Sequence, residues 1–295
     1  MKNNQPSLPR EKVQSVISLY SNGQFHEAVD KIKALNESYP KEPLLFNLIG
    51  ACYKELGQLE GAAKMFEVAV SIKPKYAEAH YNLGVIHQAL GRLDAAVINY
   101  SKAIVITPNY PDAHNNLGTS LYELGRLQDS IKSLEWAVAY KYDFSEAHNN
   151  LGRSLNAFGR VEAAIKSFKN AVLYKPGYAK AYFNLALSFK DIGDKPSFIK
   201  NIEKALDIKP VWGAAHYHLS QASKCKKNDP KIAEIHSLLN RENLDLTDRI
   251  NFNFALAKSY EDMGNHNEQF KHLDEGNRLR KNELNYSIDR DLELF

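Results

Sequence analysis

The chain has 295 residues, 44% of them hydrophobic and 25% charged, with a formal net charge of +3. No run approaches the roughly 18 consecutive apolar residues that span a bilayer, and the opening Met1-Lys2-Asn3-Asn4-Gln5-Pro6, leading into Arg10-Glu11-Lys12, holds no apolar leader core; the expected compartment is cytoplasmic, with no membrane partner. So small a charge gives little of the general attraction to phosphate that nucleic-acid binding needs, and Cys52 and Cys225, far apart and without CxxC or CxxH companions, support neither a disulfide framework nor a structural zinc site.

Gly23, Gly57, Gly91, Gly125, Gly159 and Gly193 stand 34 residues apart, each closing an apolar-periodic stretch where glycine takes the left-handed conformation that ends a helix. Self-similarity at such a period marks stacked supersecondary units, and the fold expected is an all-α solenoid of antiparallel helical hairpins. Units begin near Pro9, Pro43, Ala77, Pro111, Ser145, Ala179 and Gly213, with an eighth near Ile250. Residues 1–8 read as an N-terminal extension, 9–225 as the regular stack, 226–286 as irregular helices and an eighth hairpin, and 287–295 as a C-terminal helix or linker.

In the unit from Ala77 to Tyr110, Leu83, Ile86 and Leu90 fall at helical spacing, Gly91-Arg92 turns the chain, and Leu93, Ala96, Val97, Tyr100, Ala103 and Ile104 give a second helical stripe. Pro40, Pro74, Pro108, Pro176 and Pro210 share the closing phase, since proline suits the turn into the next hairpin but cannot continue a helix. Gly50, Gly84, Gly118 and Gly152 sit inside helices at a cost of about 1 kcal/mol each relative to alanine. Close helix contact is the expected compensation, with Ala28, Ala62, Ala96, Ala164 and Ser130 as small facing partners. Beyond the sixth unit the pattern shifts: Lys226-Lys227-Asn228-Asp229-Pro230 replaces the glycine turn, Asp229 is placed to cap a helix started by Pro230, and Thr247 to cap the eighth hairpin.

The pairs Leu83-Gly84, Leu117-Gly118 and Leu151-Gly152, with the later alanine, aromatic, alanine and proline at fixed offsets, closely resemble the tetratricopeptide repeat. The resemblance implies a right-handed superhelix whose first helices line a concave groove, and a binding function rather than catalysis. Two residues before each repeat glycine stand Asn82, Asn116 and Asn150, with Asn184 at the same phase. Their amides offer donors and acceptors together, and a rise of roughly 10 Å between stacked helices matches three extended residues of a guest strand. The column is similar to the asparagine ladder of O-linked N-acetylglucosamine transferase, which implies backbone-directed capture of an extended peptide. Tyr81, Asn115, Asn149, Phe183 and Tyr217 occupy the adjacent phase, with Tyr122, Arg153, Asn156 and Lys190 further along; aromatics and arginine are the types that anchor interfaces. The plainer reading is that the asparagines bond only to neighbouring helices and solvent. Tyr81, Asn115, Val85 and Thr119 stand where the chaperone-binding clamp of some relatives needs lysine and asparagine, which argues against a co-chaperone.

His80, His114, His148 and His216 share one phase, but equivalent residues on successive hairpins lie roughly 10 Å apart, whereas zinc needs ligand nitrogens about 2.1 Å from one ion. They read as packing residues. Cys225 among Lys224, Lys226 and Lys227 reads as an inert thiol, there being no base to activate it. No phosphate loop, nucleophile elbow or HExxH helix occurs, so neither an active site nor a cofactor is expected. The stretch Asp245–Gly264, Asp274-Glu275-Gly276-Asn277-Arg278-Leu279-Arg280 and Tyr286 to Phe295 resemble the junction of bacterial tetratricopeptide–sulfotransferase fusions. That implies an alternative, the substrate-recruiting part of a protein sulfotransferase whose catalytic domain lies outside this chain. Pairing of solenoid ends into a homodimer is a further possibility of the fold.

Overall fold

The structure, a computed structural model, describes residues 8–284; the expectations for residues 1–7 and for the segment from Tyr286 to Phe295 fall outside them. The described residues form sixteen α-helices and no strand, in two compact units, Met1–Gly159 and Arg160–Phe295.

The first unit holds α1 (Arg10–Ser21), α2 (Phe25–Ser38), α3 (Pro43–Glu55), α4 (Leu59–Ile72), α5 (Ala77–Ala89), α6 (Leu93–Ile106), α7 (Pro111–Glu123), α8 (Leu127–Tyr140) and α9 (Ser145–Ala157). Glycine makes each hairpin turn. Gly57 has φ +73°; its N–H donates to the Lys54 carbonyl at 3.0 Å, and the Gln58 N–H reaches the Tyr53 carbonyl at 2.8 Å. These two bonds satisfy carbonyls that the helix end would leave orphaned, in the arrangement known as the Schellman motif.

The mid-helix glycines serve close packing, but their main partners are not the small residues expected. A Cβ on Gly50 would lie 2.7 Å from the Phe66 ring, on Gly84 2.7 Å from Tyr100, and on Gly118 2.5 Å from Leu134. The missing side chain therefore makes room for a large one from the second helix of the same hairpin, and Phe66, Tyr100 and Leu134 are almost wholly buried. Burial of such a side chain is worth about 1.5–3 kcal/mol, which outweighs the helix-propensity cost of glycine. The small residue at the facing position does approach as well: Ser130 Oγ donates to the Gly118 carbonyl at 2.6 Å.

The histidine column fastens the turns between hairpins. In each case Nε2 faces the carbonyl six residues earlier: His80 to Pro74 at 3.0 Å, His114 to Pro108 at 3.0 Å, His148 to Tyr142 at 2.8 Å. A carbonyl in a non-helical turn lacks a ladder partner, and a buried imidazole N–H supplies one.

The second unit holds α10 (Val161–Tyr174), α11 (Ala179–Asp191), α12 (Lys195–Ile208), α13 (Gly213–Ala222), α14 (Pro230–Leu239), α15 (Leu246–Asp262) and α16 (His266–Glu283). Here the hairpin rule breaks. The helix α13 packs chiefly along α15 rather than along its successor α14. The Gly213 N–H donates to Asp248 Oδ1 at 2.8 Å, and a Cβ on Gly213 would sit 2.5 Å from the Asp248 carbonyl oxygen. Asp229 caps α14 through the Lys231 N–H at 3.0 Å. Asp245, not Thr247, caps α15: its carboxylate accepts from the N–H groups of Thr247 and Asp248, while the Thr247 hydroxyl donates to Glu283 at 3.0 Å. The helix accordingly starts at Leu246, four residues ahead of Ile250.

Candidate peptide-binding face

In the first unit the first helices α3, α5, α7 and α9 lie side by side, each touching the next of its kind. Polar side chains connect them. Asn82 Nδ2 donates to Asn47 Oδ1 at 3.0 Å, linking α5 to α3, and Asn47 in turn donates to Glu78 Oε1 at 3.4 Å. Asn116 Nδ2 donates to the Tyr81 hydroxyl at 3.2 Å, linking α7 to α5. Asn150 Nδ2 donates to Asn115 Oδ1 at 3.0 Å and lies 3.4 Å from Thr119 Oγ1, linking α9 to α7; Asn115 closes the chain by donating to Asn116 Oδ1 at 3.2 Å.

Asn82, Asn116 and Asn150 are half-buried, each anchored to the preceding hairpin. Asn115 and Asn149 depart from the expectation. Their exposures are 3% and 1%, so they lie within the packing between helices and cannot form the open lining assigned to them. Tyr81 is wedged between Tyr110, with centroids 5.0 Å apart, and Tyr100, at 5.8 Å. Burial, with Asp112 and Glu146 nearby, pushes its phenol above the ordinary range, so it acts as a neutral hydrogen-bonding group. Arg153 lays its guanidinium 4.7 Å over the Tyr122 ring, a cation–π contact that fixes both at the surface, and Asn156 is half-buried one turn further along α9.

A further polar column at this face is legible in the sequence. Glu78, Asp112 and Glu146 precede the column histidines by two residues at the 34-residue period, and all three are exposed. With Glu42 and Glu78 adding to the effect of burial, the Tyr76 hydroxyl is raised to about 12. Elsewhere in the unit, Trp136 and Tyr140 on α8 stack at 5.5 Å although both are exposed, Tyr140 covering His114 at 5.6 Å.

In the second unit, Asn184 is half-buried, its carbonyl accepting from Ser188 Oγ. Phe183 packs on Trp212 at 4.5 Å, and Tyr217 stands between His218 and Phe254 at 5.7 and 6.3 Å. Lys190 is exposed. His216 repeats the turn contact, Nε2 lying 3.0 Å from the Pro210 carbonyl. Burial pushes the Cys225 thiol up rather than down, despite the flanking lysines, which favours the inert form.

Sequence profiles of the tetratricopeptide repeat match residues 50–91, 89–125, 115–177 and 179–211, together more than half of the chain. The chain belongs to the tetratricopeptide-repeat family. Anaphase-promoting complex subunit 3 of Dictyostelium discoideum is 35% identical to this TPR protein over 71 residues, which are 24% of this chain and 7% of that much longer protein. Among solved structures, PilW, a type IV pilus biogenesis factor, aligns with a TM-score of 0.60 at 22% identity, covering 68% of this chain and 93% of PilW. YrrB, a TPR protein with an unusual peptide-binding site, aligns at 0.54 and 21% identity, covering 61% and 92%. These likenesses establish the helical-repeat fold. Among the described residues no helix is long and apolar enough to cross a membrane, and no cluster of three or more His, Cys, Asp or Glu is arranged to hold a metal ion.

Proposed function

We propose that this TPR chain is a non-catalytic cytoplasmic scaffold that holds an extended segment of a partner protein along the first helices of its hairpins. The observation that most supports this is the state of the amides. Asn82 and Asn150 are each held through Nδ2 by the preceding hairpin, while Oδ1 of each is neither buried nor bonded within the described residues. An amide immobilised in this way loses little further freedom when a guest N–H reaches it, which lowers the ordering cost of binding. Arg153 on Tyr122 and the exposed carboxylates of Glu78, Asp112 and Glu146 flank the same face with directional polar groups. The peptide-binding site of YrrB and the membership of the Dictyostelium relative in a complex support the broader class, protein–protein interaction.

A peptide array probed with the purified chain supplies a ligand, and fluorescence anisotropy then compares it on wild-type protein and on the Asn82→Ala/Asn150→Ala double variant. The expected outcome is a loss of affinity of about fivefold or more with helicity retained, one or two surface-accessible hydrogen bonds being worth about 0.5–1.5 kcal/mol each. Unchanged affinity in the double variant removes the amides from recognition. End-to-end pairing of two copies belongs to the same proposal, and sedimentation showing a monomer at every concentration removes it.

The alternative, a substrate-recruiting part of a protein sulfotransferase, is supported by the departure of α15 and α16, 17 and 18 residues long, from the regular repeat. Sequencing the source reading frame past the Phe295 codon tests it: a phosphate-loop sequence supports it, and a stop codon or unrelated sequence removes it.

A further inference from the structure

In the first unit, the place between successive second helices is covered by rings in one hairpin and open in the hairpin before it. Between α4 and α6 runs an open groove of about 680 Å³, floored by Pro74 and His80 and walled by Val70 on one side and by Val105 and Ile106 on the other. His80 Nε2 meets the Pro74 carbonyl at 3.0 Å and its Nδ1 meets Asn99 Oδ1 at 3.3 Å, so both ring nitrogens are engaged and the groove is left with its apolar walls. One repeat on, the matching floor is Pro108 and His114, and it is covered: Trp136 and Tyr140 of α8, stacked at 5.5 Å, lie over the His114 ring at 6.5 and 5.6 Å. The residues 34 positions before this pair are Lys102 and Ile106, so the α4–α6 groove brings no ring of its own.

The aromatic pair is itself only partly covered. Trp136 is 55% exposed and Tyr140 38%, and on α6, between them and the groove in stacking order, Ile98 and Val105 lie seven residues apart on one helix face at 54% and 81%. Single exposed apolar residues are ordinary, but a contiguous group of them beside an open apolar groove marks an interface. The flanking charges are complementary. Trp136 stands next to Glu135 and one turn from Lys132, while the groove carries Lys102 on its α6 wall and Glu67 on its α4 wall. All four are exposed, and none forms an ion pair among the described residues.

We propose that this face pairs two copies of the chain: the exposed edge of the Trp136–Tyr140 stack of one copy seats in the α4–α6 groove of the other, with Glu135 opposite Lys102 and Lys132 opposite Glu67. The sister groove of the same chain already shows a stacked aromatic pair lying on a proline–histidine floor. Aromatic pair and groove lie one hairpin apart, to either side of α6, so a two-fold axis over α6 makes both contacts at once and closes the assembly as a dimer. The interface uses second helices, and neither the amides of the first helices nor the ends of the stack enter it.

Sedimentation equilibrium of the full chain across a concentration series tests the pairing. A monomer–dimer equilibrium is expected, weakened about tenfold or more in Trp136→Ser, because a tryptophan at the centre of an interface carries a large share of its energy. Lys102→Glu and Glu135→Lys, at exposed positions where folding is not at stake, each set like charges together and should weaken association about threefold or more. The Lys102→Glu/Glu135→Lys double variant should return to wild-type strength. A monomer at every concentration overturns the proposal, as does association unchanged in Trp136→Ser or a double variant that associates no better than its parents. The Asn82→Ala/Asn150→Ala protein is expected to dimerise as wild type does, and end-to-end pairing would be indifferent to Trp136 and Lys102, so a failure here is told apart from a failure of either of those readings.

Discussion

Asn150 Nδ2 donates to Asn115 Oδ1 across 3.0 Å, joining α9 to α7, and Asn115 is itself 97% buried. Removal of a buried partner leaves other polar groups unsatisfied, which costs more than the bond contributes when made. Asn115→Ala is therefore expected to destabilise the chain by about 1–3 kcal/mol in urea unfolding, and the exposed neighbour change Asp112→Ala by less than about 0.5 kcal/mol. Equal effects from the two would show that the amide connection contributes nothing to stacking.

Gly84→Ala pits helix propensity against packing. Alanine gains about 1 kcal/mol as a helix former, but its Cβ would lie 2.7 Å from the Tyr100 ring, which is fully buried and has no room to retreat. Packing wins, and a net loss of about 1–3 kcal/mol is expected. Combined with Tyr100→Leu, the two changes should cost less than their sum, a coupling that a double-mutant cycle in urea measures directly.

Gly125 offers the opposite case, since a Cβ there meets nothing within 4 Å and only the backbone, at φ +73°, objects. The left-handed conformation costs an L-residue about 1–2 kcal/mol, less for asparagine. Gly125→Ala should lower stability by about that amount and Gly125→Asn by clearly less; thermal unfolding that ranks the two in reverse would place the strain elsewhere.

Burial holds His114, His148 and His216 below the ordinary imidazole value of 6.5, and His87 and His218 likewise. The unfolded chain binds protons at these sites more readily than the folded one, so their contribution to stability is present above about pH 6.5 and declines as pH falls below it. Urea midpoints are expected to drop between about pH 7.5 and pH 5.5, before most carboxylates protonate. In His114→Phe the drop should be smaller, while the midpoint at pH 7.5 is already lower because the Pro108 carbonyl keeps only the Tyr110 N–H of its two partners. A wild-type midpoint flat across this window would contradict the neutral, turn-fastening role.

The repeat was legible because its punctuation is chemical. Gly57 and Gly91 stand where φ must be positive, and Pro74 and Pro108 where helices must stop. Sequence phase was less informative about which of two adjacent residues faces out. Asn115 and Asn116 differ by about 100° around the helix, and it is Asn115 that is held in the packing, accepting from Asn150 of the next first helix, a partner no single repeat contains. The partners of the inner glycines are hidden in the sequence for a related reason: Tyr100 lies 16 positions beyond Gly84, and only the packing of α5 on α6 brings the ring over it. The start of α15 is ambiguous in the sequence because Asp245 and Thr247 are both competent caps, and the contact of Thr247 with Glu283 on α16 decides between them.

The embrace of α13 by α15 alters how the second unit comes apart. In a linear array each hairpin leans only on its neighbours, so the last one frays first and the rest follow in sequence. Here the Asp248 carboxylate reaches back to Gly213 over 35 positions, and Cys225 N–H is held by Asp262 over 37, so α15 is clasped to a helix that precedes α14. Local openings at this end must release α13, α15 and α16 as one block, and hydrogen exchange should find their core amides protected to a common level rather than in a gradient toward the terminus.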